Sequence, residues 1–181
     1  MSLLTDLNDP YEFFEQSISK EALDKYKKEL KHGIICLSGT FDCPLMWGHY
    51  ADSHKGVCLG FDVDEDLLLK VEYVDNPLCL NLNKNQNLTE DNARSIISTK
   101  SNLWKYEKEY RFFVNLPEKP QISQFYYASF SEKLLLREII LGANCLDAKN
   151  LAECVAKANY GYDIKIHKAK LSNTSFKIDI Q

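Results

Sequence analysis

The fold is organised around one stretch of sequence, Pro44-Leu45-Met46-Trp47-Gly48-His49-Tyr50-Ala51-Asp52-Ser53-His54-Lys55-Gly56. It brings two histidines, two aromatic rings and an aspartate into about three helical turns. Pro44 suits the first position of a helix and Gly56 suits its end, so the pattern predicts a helix that carries Trp47 to His54. We expect chemistry or binding at this place.

The sequence on either side of this stretch predicts strands. Ile34-Ile35-Cys36-Leu37 is an almost continuous apolar run, typical of a buried strand, and Val57-Cys58-Leu59-Gly60-Phe61-Asp62 is the next strand. Further strands are predicted at about 70–74, 124–130, 134–142, 162–171 and 176–180, and helices at about 20–32, 89–104 and 147–160. Together these predict an α+β fold in which a mixed, largely antiparallel sheet packs with several helices.

Length and composition place limits on the function. The 181 residues, 45% of them hydrophobic, predict a single domain, 1–181. The net charge of -4 gives no strong nucleic-acid signal, because duplex binding usually needs a concentrated basic stripe. The sequence has no leader pattern and no apolar run that approaches the roughly 20 residues needed to cross a bilayer. Its six cysteines contain no CxxC pair, which favours reduced thiols in a cytoplasmic protein.

A second unusual segment alternates aromatic and charged side chains from Trp104 to Arg111. If this segment is a strand, Glu107, Glu109 and Arg111 share one face. One interpretation is a carboxylate pair that acts as acid and base while Arg111 holds an anionic group. The other is a solvated strand face with cross-strand ion pairs.

The motifs resemble a bacterial family catalogued as domain of unknown function 2971. The resemblance rests on Asn8-Asp9-Pro10-Tyr11-Glu12, the stretch from Leu45 to Asp62, Trp104-Lys105-Tyr106-Glu107-Lys108-Glu109-Tyr110-Arg111, and Ile139-Ile140-Leu141-Gly142. It implies a prokaryotic, cytoplasmic protein and supplies no established reaction or cofactor. Members of the family usually carry an earlier aromatic-Arg strand, so this chain is expected to lack an N-terminal strand.

The two histidines are candidates for catalysis. His49 and His54 would lie about 140° apart on a helix, which makes them poor joint ligands, and we predict no metal site. Either imidazole could serve as a general base or contact a phosphate, because it titrates near neutral pH. A structural role, with one histidine capping the helix, is the alternative.

A weaker resemblance concerns ADP-ribosyltransferases. Ser38-x-Thr40 and Glu107-x-Glu109 are similar to the Ser-Thr-Ser and Glu-x-Glu elements of those NAD-dependent enzymes. The resemblance implies that Ser38 and Thr40 support the nicotinamide ribose and that Glu109 stabilises the oxocarbenium-like charge.

We therefore predict one pocket built from the Trp47–His54 helix and the Trp104–Arg111 segment, with a nucleotide-like or phosphate-bearing ligand. The predicted catalytic residues are His49, His54, Glu107 and Glu109, and the predicted ligand-binding residues are Ser38, Trp47, Tyr50, Trp104 and Arg111. The aromatic rings would stack on a base, and Arg111 with the histidines would meet anionic oxygen. The alternatives are an ADP-ribosyltransferase-like enzyme, a phosphoester hydrolase, and a non-catalytic partner-binding module in a stress or phage-defence pathway. The sequence does not decide the oligomeric state.

Overall fold

The computed structural model describes residues 7–9, 11, 32–78, 89–116, 126–158 and 161–181. These residues form two compact units, each built from two separate parts of the chain. The first unit comprises Met1–Gly39 and Glu65–Ser129, and the second comprises Thr40–Asp64 and Phe130–Gln181. The prediction of a single domain over 1–181 stays a prediction.

The first unit contains two small sheets and one α-helix among its described residues. Strands β1 (His32–Ser38), β6 (Glu109–Asn115) and β3 (Leu68–Lys70) form an antiparallel sheet in the order β1-β6-β3. Strands β4 (Glu72–Val74) and β5 (Thr99–Ser101) pair in parallel, and helix α2 (Glu90–Ser98) makes the crossover that a parallel pair needs. Two 3₁₀ helices are also present, Glu65–Leu67 and Asn102–Glu107.

The second unit is a four-stranded sheet with two helices. Its strand order is β2 (Val57–Asp62), β7 (Leu135–Leu141), β8 (Lys165–Leu171) and β9 (Ile178–Ile180). Strands β7 and β8 are parallel and are joined through helix α3 (Ala148–Ala158), whereas the other two pairs are antiparallel. Four of the six strand pairings of the two units are therefore antiparallel, and the prediction of an α+β fold with a mixed, largely antiparallel sheet is confirmed.

The predicted Trp47–His54 helix is too long. Helix α1 spans Pro44–Tyr50, and Pro44 stands in its first turn as expected. The following three residues, Asp52, Ser53 and His54, have φ angles of 43°, 53° and 68°, which leave the right-handed helical region. Nothing local signals that early stop, because no proline or glycine stands between Tyr50 and Gly56.

The remaining element predictions have mixed outcomes. Strand β2 has the predicted bounds, and β1, β7, β8 and β9 overlap the predicted strands. The predicted helix at 89–104 is shorter than expected and ends at Ser98. Its start is capped by Thr89, whose side chain accepts a hydrogen bond from the Asn92 amide. Residues 126–130 are not a strand, contrary to the prediction, and the predicted helix at 20–32 lies almost entirely outside the described residues.

Candidate functional site

Four charged side chains are buried together in the first unit. Lys100, Glu107, Glu109 and Arg111, called the charged cluster below, have exposed fractions of 6%, 3%, 4% and 0%. Charged side chains are almost never buried to this extent unless they are paired. Their partners therefore decide what the cluster can do.

The four charges pair with one another. The Lys100 ammonium donates to Oε2 of Glu107 at 2.5 Å and to Oε2 of Glu109 at 2.9 Å. The Arg111 guanidinium donates from Nε to Oε1 of Glu109 at 2.9 Å and from Nη2 to Oε2 at 3.3 Å. Two cations and two carboxylates leave no net charge, which is the condition under which buried ions are tolerated.

The guanidinium has one further partner. Nη1 of Arg111 donates to the backbone carbonyl of Ile97 at 2.7 Å, close to the carboxyl end of α2. Carbonyls at this end of a helix lack partners within the helix, and a cation satisfies them well. Arg111 therefore ties α2 to strand β6.

The cluster fixes the ionisation of Glu109. Burial by itself raises the pKa of this carboxyl, but the hydrogen bonds and positive charges of Arg111 and Lys100 outweigh burial and hold its pKa below the ordinary value. Glu109 is consequently an anion at neutral pH. It is suited to accept a hydrogen bond or stabilise positive charge, and poorly suited to serve as a general acid.

Neighbouring polar groups hold the backbone around the carboxylates. The Ser38 hydroxyl donates to the carbonyl of Glu107 at 2.6 Å, and the Glu109 amide donates to the Tyr73 hydroxyl at 2.8 Å. Burial raises the pKa of Tyr73, the hydrogen bond from the Glu109 amide lowers it, and nearby carboxylate charge raises it again, so the net pKa is raised. Lys108, between the two glutamates, adopts a left-handed φ of 47°. That turn explains why Glu107 and Glu109 reach the same ammonium.

Two half-buried aromatic rings accompany the cluster. The Trp104 ring centroid lies 5.0 Å from the Lys100 ammonium, a cation–π distance, and 6.1 Å from the Tyr106 ring centroid. Both aromatic residues belong to the 3₁₀ helix that ends at Glu107. An aromatic surface therefore stands beside buried charge.

The structure corrects the sequence interpretation of this segment. Glu107 ends a 3₁₀ helix and does not share a strand face with Glu109 and Arg111. The alternative of a solvated face is wrong, because all three side chains are buried. Lys100 was not predicted as a site residue. A single lysine inside the short strand Thr99–Ser101 gives no local sign that its side chain is buried.

The other predicted site residues lie in the second unit. Trp47 is 3% exposed, belongs to the apolar core of that unit and donates from Nε1 to the carbonyl of Phe41 at 2.6 Å. The His54 ring stacks on the Trp47 ring, with centroids 6.4 Å apart and planes inclined by 8°. Nδ1 of His54 is buried and has no hydrogen-bond partner among the described residues, which is rare for a ring nitrogen.

His49 and Tyr50 are exposed at the end of α1. Their rings meet edge to face, with centroids 6.2 Å apart, and Tyr50 is 47% exposed. The structure thus brings Ser38, Trp104, Glu107, Glu109 and Arg111 into one unit and Trp47, His49, Tyr50 and His54 into the other. The catalytic and binding roles assigned to them stay predictions.

Within the described ranges, no group of three or more histidines, cysteines or carboxylates is placed to hold a metal ion. Among the helices described here, none is both long and apolar enough to span a bilayer. Five cysteines in these ranges are free thiols, namely Cys36, Cys43, Cys58, Cys145 and Cys154.

Comparison with known proteins gives a match to a family sequence model. The sequence model of the family described as protein of unknown function (DUF2971) matches residues 46–77, which run from α1 through β4. This match confirms the predicted family resemblance and assigns no reaction. No curated protein and no solved structure matches the chain.

Proposed function

We propose that this protein binds a nucleotide-like, phosphate-bearing ligand at the charged cluster and its aromatic neighbours. The observation that carries the proposal is the placement of the half-buried Trp104 ring over the buried Lys100 ammonium. A base can stack on an aromatic face whatever its identity, and a lysine ammonium is a common partner of phosphate oxygens.

Lys100 is the member of the cluster that can turn toward a ligand. Arg111 is held in a fork by Glu109 and by the carbonyl of Ile97, so its planar group is fixed. The Lys100 ammonium is a point charge on a flexible stem, and it can exchange one carboxylate for a phosphate. The released oxygens of Glu107 then accept hydrogen bonds from sugar hydroxyls.

The test is a calorimetric titration of the full chain with ATP, NAD, ADP-ribose and pyrophosphate, with Trp104→Ala as the probe variant. Stacking on an aromatic ring contributes about 1–3 kcal/mol, so Trp104→Ala should weaken base-containing ligands by roughly 5- to 150-fold and leave pyrophosphate almost unchanged. Leu103→Ala is the matched control, because Leu103 precedes Trp104 in the sequence and is itself 84% exposed. If none of the four compounds binds, or if both variants lose the same affinity, the proposal fails.

His49 and Tyr50 of the second unit are proposed separately as contacts for the same class of ligand. His49 and Tyr50 are exposed, so a ligand phosphate or base can reach them from solvent. His49→Ala in the same titration decides their contribution. Unchanged affinity in this variant would show that His49 binds none of the four compounds and would leave the role of Trp104 intact.

An ADP-ribosyltransferase-like enzyme is the second candidate, favoured by one observation. Ser38 lies directly opposite Glu109 across the β1–β6 pair, so the serine of the Ser-x-Thr element is adjacent to the Glu-x-Glu segment. In this reading Glu109, which remains anionic, stabilises the positive charge that develops when the bond to nicotinamide breaks.

Release of nicotinamide from NAD tests this candidate. Wild-type protein should release it while water adds to the ribose carbon that nicotinamide leaves, which yields ADP-ribose and a proton. Glu109→Gln should not release it, and Glu72→Gln, which changes an exposed carboxylate of the same unit, should behave as wild type. A wild-type protein that binds NAD without releasing nicotinamide would exclude the enzyme and support the ligand-binding proposal alone.

A further inference from the structure

A groove of about 500 Å³ lies in the first unit between strand β3 and helix α2. On one side it is lined by the consecutive residues 66–69, and on the other by Glu90, Ala93, Arg94 and Ile97. The helix positions follow the spacing i, i+3, i+4 and i+7, which is a single helix face. Asp66 and Leu67 belong to the 3₁₀ helix Glu65–Leu67, whereas Leu68 and Leu69 begin strand β3, and Phe113 of the neighbouring strand β6 also lines the groove. The side chains of Leu68 and Leu69 point to opposite faces of the sheet, so both residues can line the groove only where it reaches the outer edge of β3.

Strand β3 is the last strand of its sheet, and its outer edge carries backbone hydrogen-bonding groups. The Val71 amide donates to the carbonyl of Glu109, and successive residues of an antiparallel strand point their backbone groups to opposite sides. The N–H and C=O groups of Leu68 therefore point away from β6. In the part of the chain that the structure describes, no further strand pairs with that edge.

The chemistry of the lining selects a type of ligand. Leu67, Leu69, Ala93 and Ile97 supply apolar surface, and three carboxylates, those of Asp66, Glu90 and Asp91, stand with one guanidinium, that of Arg94. Two net negative charges beside an apolar floor repel a phosphate and attract a cation. The groove therefore does not duplicate the nucleotide-like site proposed above.

We propose that this groove binds an extended, basic peptide segment of a partner protein, which adds a strand to the outer edge of β3. Strand addition supplies backbone hydrogen bonds to the peptide, and alternate side chains enter the groove between strand and helix. Apolar side chains of the peptide meet the leucines of β3 and the face of α2, and its lysines or arginines meet the three carboxylates.

The charged cluster supports this groove from behind. Arg111 bonds the carbonyl of Ile97, a residue that lines the groove, so the guanidinium fixes the end of the helix wall. A groove whose wall is held by a buried cation is preorganised, and preorganisation lowers the entropic cost of binding.

The first experiment varies the peptide and uses the unmodified full chain. A short, end-capped peptide of alternating leucine and lysine is the probe, followed by fluorescence anisotropy. Replacement of every lysine by glutamate, or N-methylation of alternate backbone amides, should each weaken binding by about tenfold or more. Equal binding of the glutamate peptide or of the N-methylated peptide overturns the proposal, as does the absence of binding by the lysine peptide.

The second experiment varies the protein. The combined variant Asp66→Asn, Glu90→Gln, Asp91→Asn should lose about tenfold in affinity for the lysine peptide and most of its salt dependence. Glu72→Gln, which changes an exposed carboxylate outside the groove, should bind as wild type. If Glu72→Gln loses as much affinity as the groove variant, the attraction is general and the proposed site is wrong.

Discussion

The two units of this chain are stabilised in different ways. In the first unit, strand β6 contributes Glu109 and Arg111 to a buried, charge-balanced cluster. In the second unit, the core around Trp47 is apolar, and its close backbone contacts occur at the turn that follows α1. The stability of the first unit depends on every buried charge keeping its partner, whereas the stability of the second unit depends on close packing of its core and backbone.

The two sequence motifs that look equally functional have different surroundings in the two units. The stretch with histidines and aromatic rings places Trp47 in a core, while the glutamate-rich stretch places its carboxylates on an ammonium beside a half-buried aromatic surface. Aromatic content alone is therefore a poor guide to a binding site, since rings at helical spacing are often packed inside. Buried charge is the rarer and more informative feature.

The largest expected effect is loss of a partner from the charged cluster. Arg111→Met leaves the Glu109 carboxylate with Lys100 alone and should lower the free energy of unfolding by about 3–5 kcal/mol. Arg137→Met is the control, because Arg137 pairs with Asp62 while 48% exposed and should contribute less than about 1 kcal/mol. Urea denaturation of both variants measures the difference. Similar losses of unfolding free energy in the two variants would mean that the charged cluster stabilises the protein no more than a surface ion pair does.

Gly142→Ala tests whether the second unit requires close backbone packing. A Cβ at this buried position would stand 2.1 Å from the carbonyl oxygen of His54, which is fixed by the amide of Asn144. The backbone must move, and the free energy of unfolding should fall by up to about 3 kcal/mol.

Gly48→Ala is the matched control for this steric effect. A Cβ at Gly48 meets none of the described residues within 4 Å, and Gly48 lies inside α1, so alanine should stabilise the protein by about 0.5–1 kcal/mol. Opposite signs for the two substitutions in thermal denaturation are the expected result. A neutral Gly142→Ala would show that the turn does not require close backbone approach.

The smallest effect is pH dependence, which belongs to the first unit. Because the folded pKa of Glu109 lies below its unfolded value of about 4.5, its contribution to stability is present above that pH and is lost as the pH falls toward the folded pKa. One proton limits the slope to about 1.4 kcal/mol per pH unit. Urea titrations between neutral and acidic pH should show a shallower slope for Glu109→Gln. An unchanged slope would assign the acid sensitivity to other carboxylates.

Much of the fold could be predicted from the sequence because apolar periodicity is local. Strand β2 has its predicted bounds, and β1, β7 and β8 overlap theirs. The end of α1 could not be predicted, since the carbonyl of His54 in the left-handed turn accepts a hydrogen bond from the Asn144 amide, and that of Gly56, just after the turn, accepts one from the Gly142 amide. Long-range partners of this kind leave no pattern near the residues they constrain.

The candidate site was predicted in part for the same reason. The spacing of Glu107 and Glu109 marked the carboxylates, but the 3₁₀ helix and the left-handed Lys108 that join them have no clear sequence signal. Lys100 was missed because an isolated lysine is usually solvated, and only its tertiary contacts show otherwise.

The order of the units along the chain decides how the protein can be dissected. The chain leaves the first unit after Gly39, returns at Glu65 and leaves again after Ser129. A single truncation that removes one unit therefore also cuts the other, so neither can be produced as a contiguous fragment. A gene that expresses the first unit alone must delete 40–64, link Gly39 to Glu65 and stop after Ser129. The junction falls between two elements of the fold, β1 and the 3₁₀ helix Glu65–Leu67.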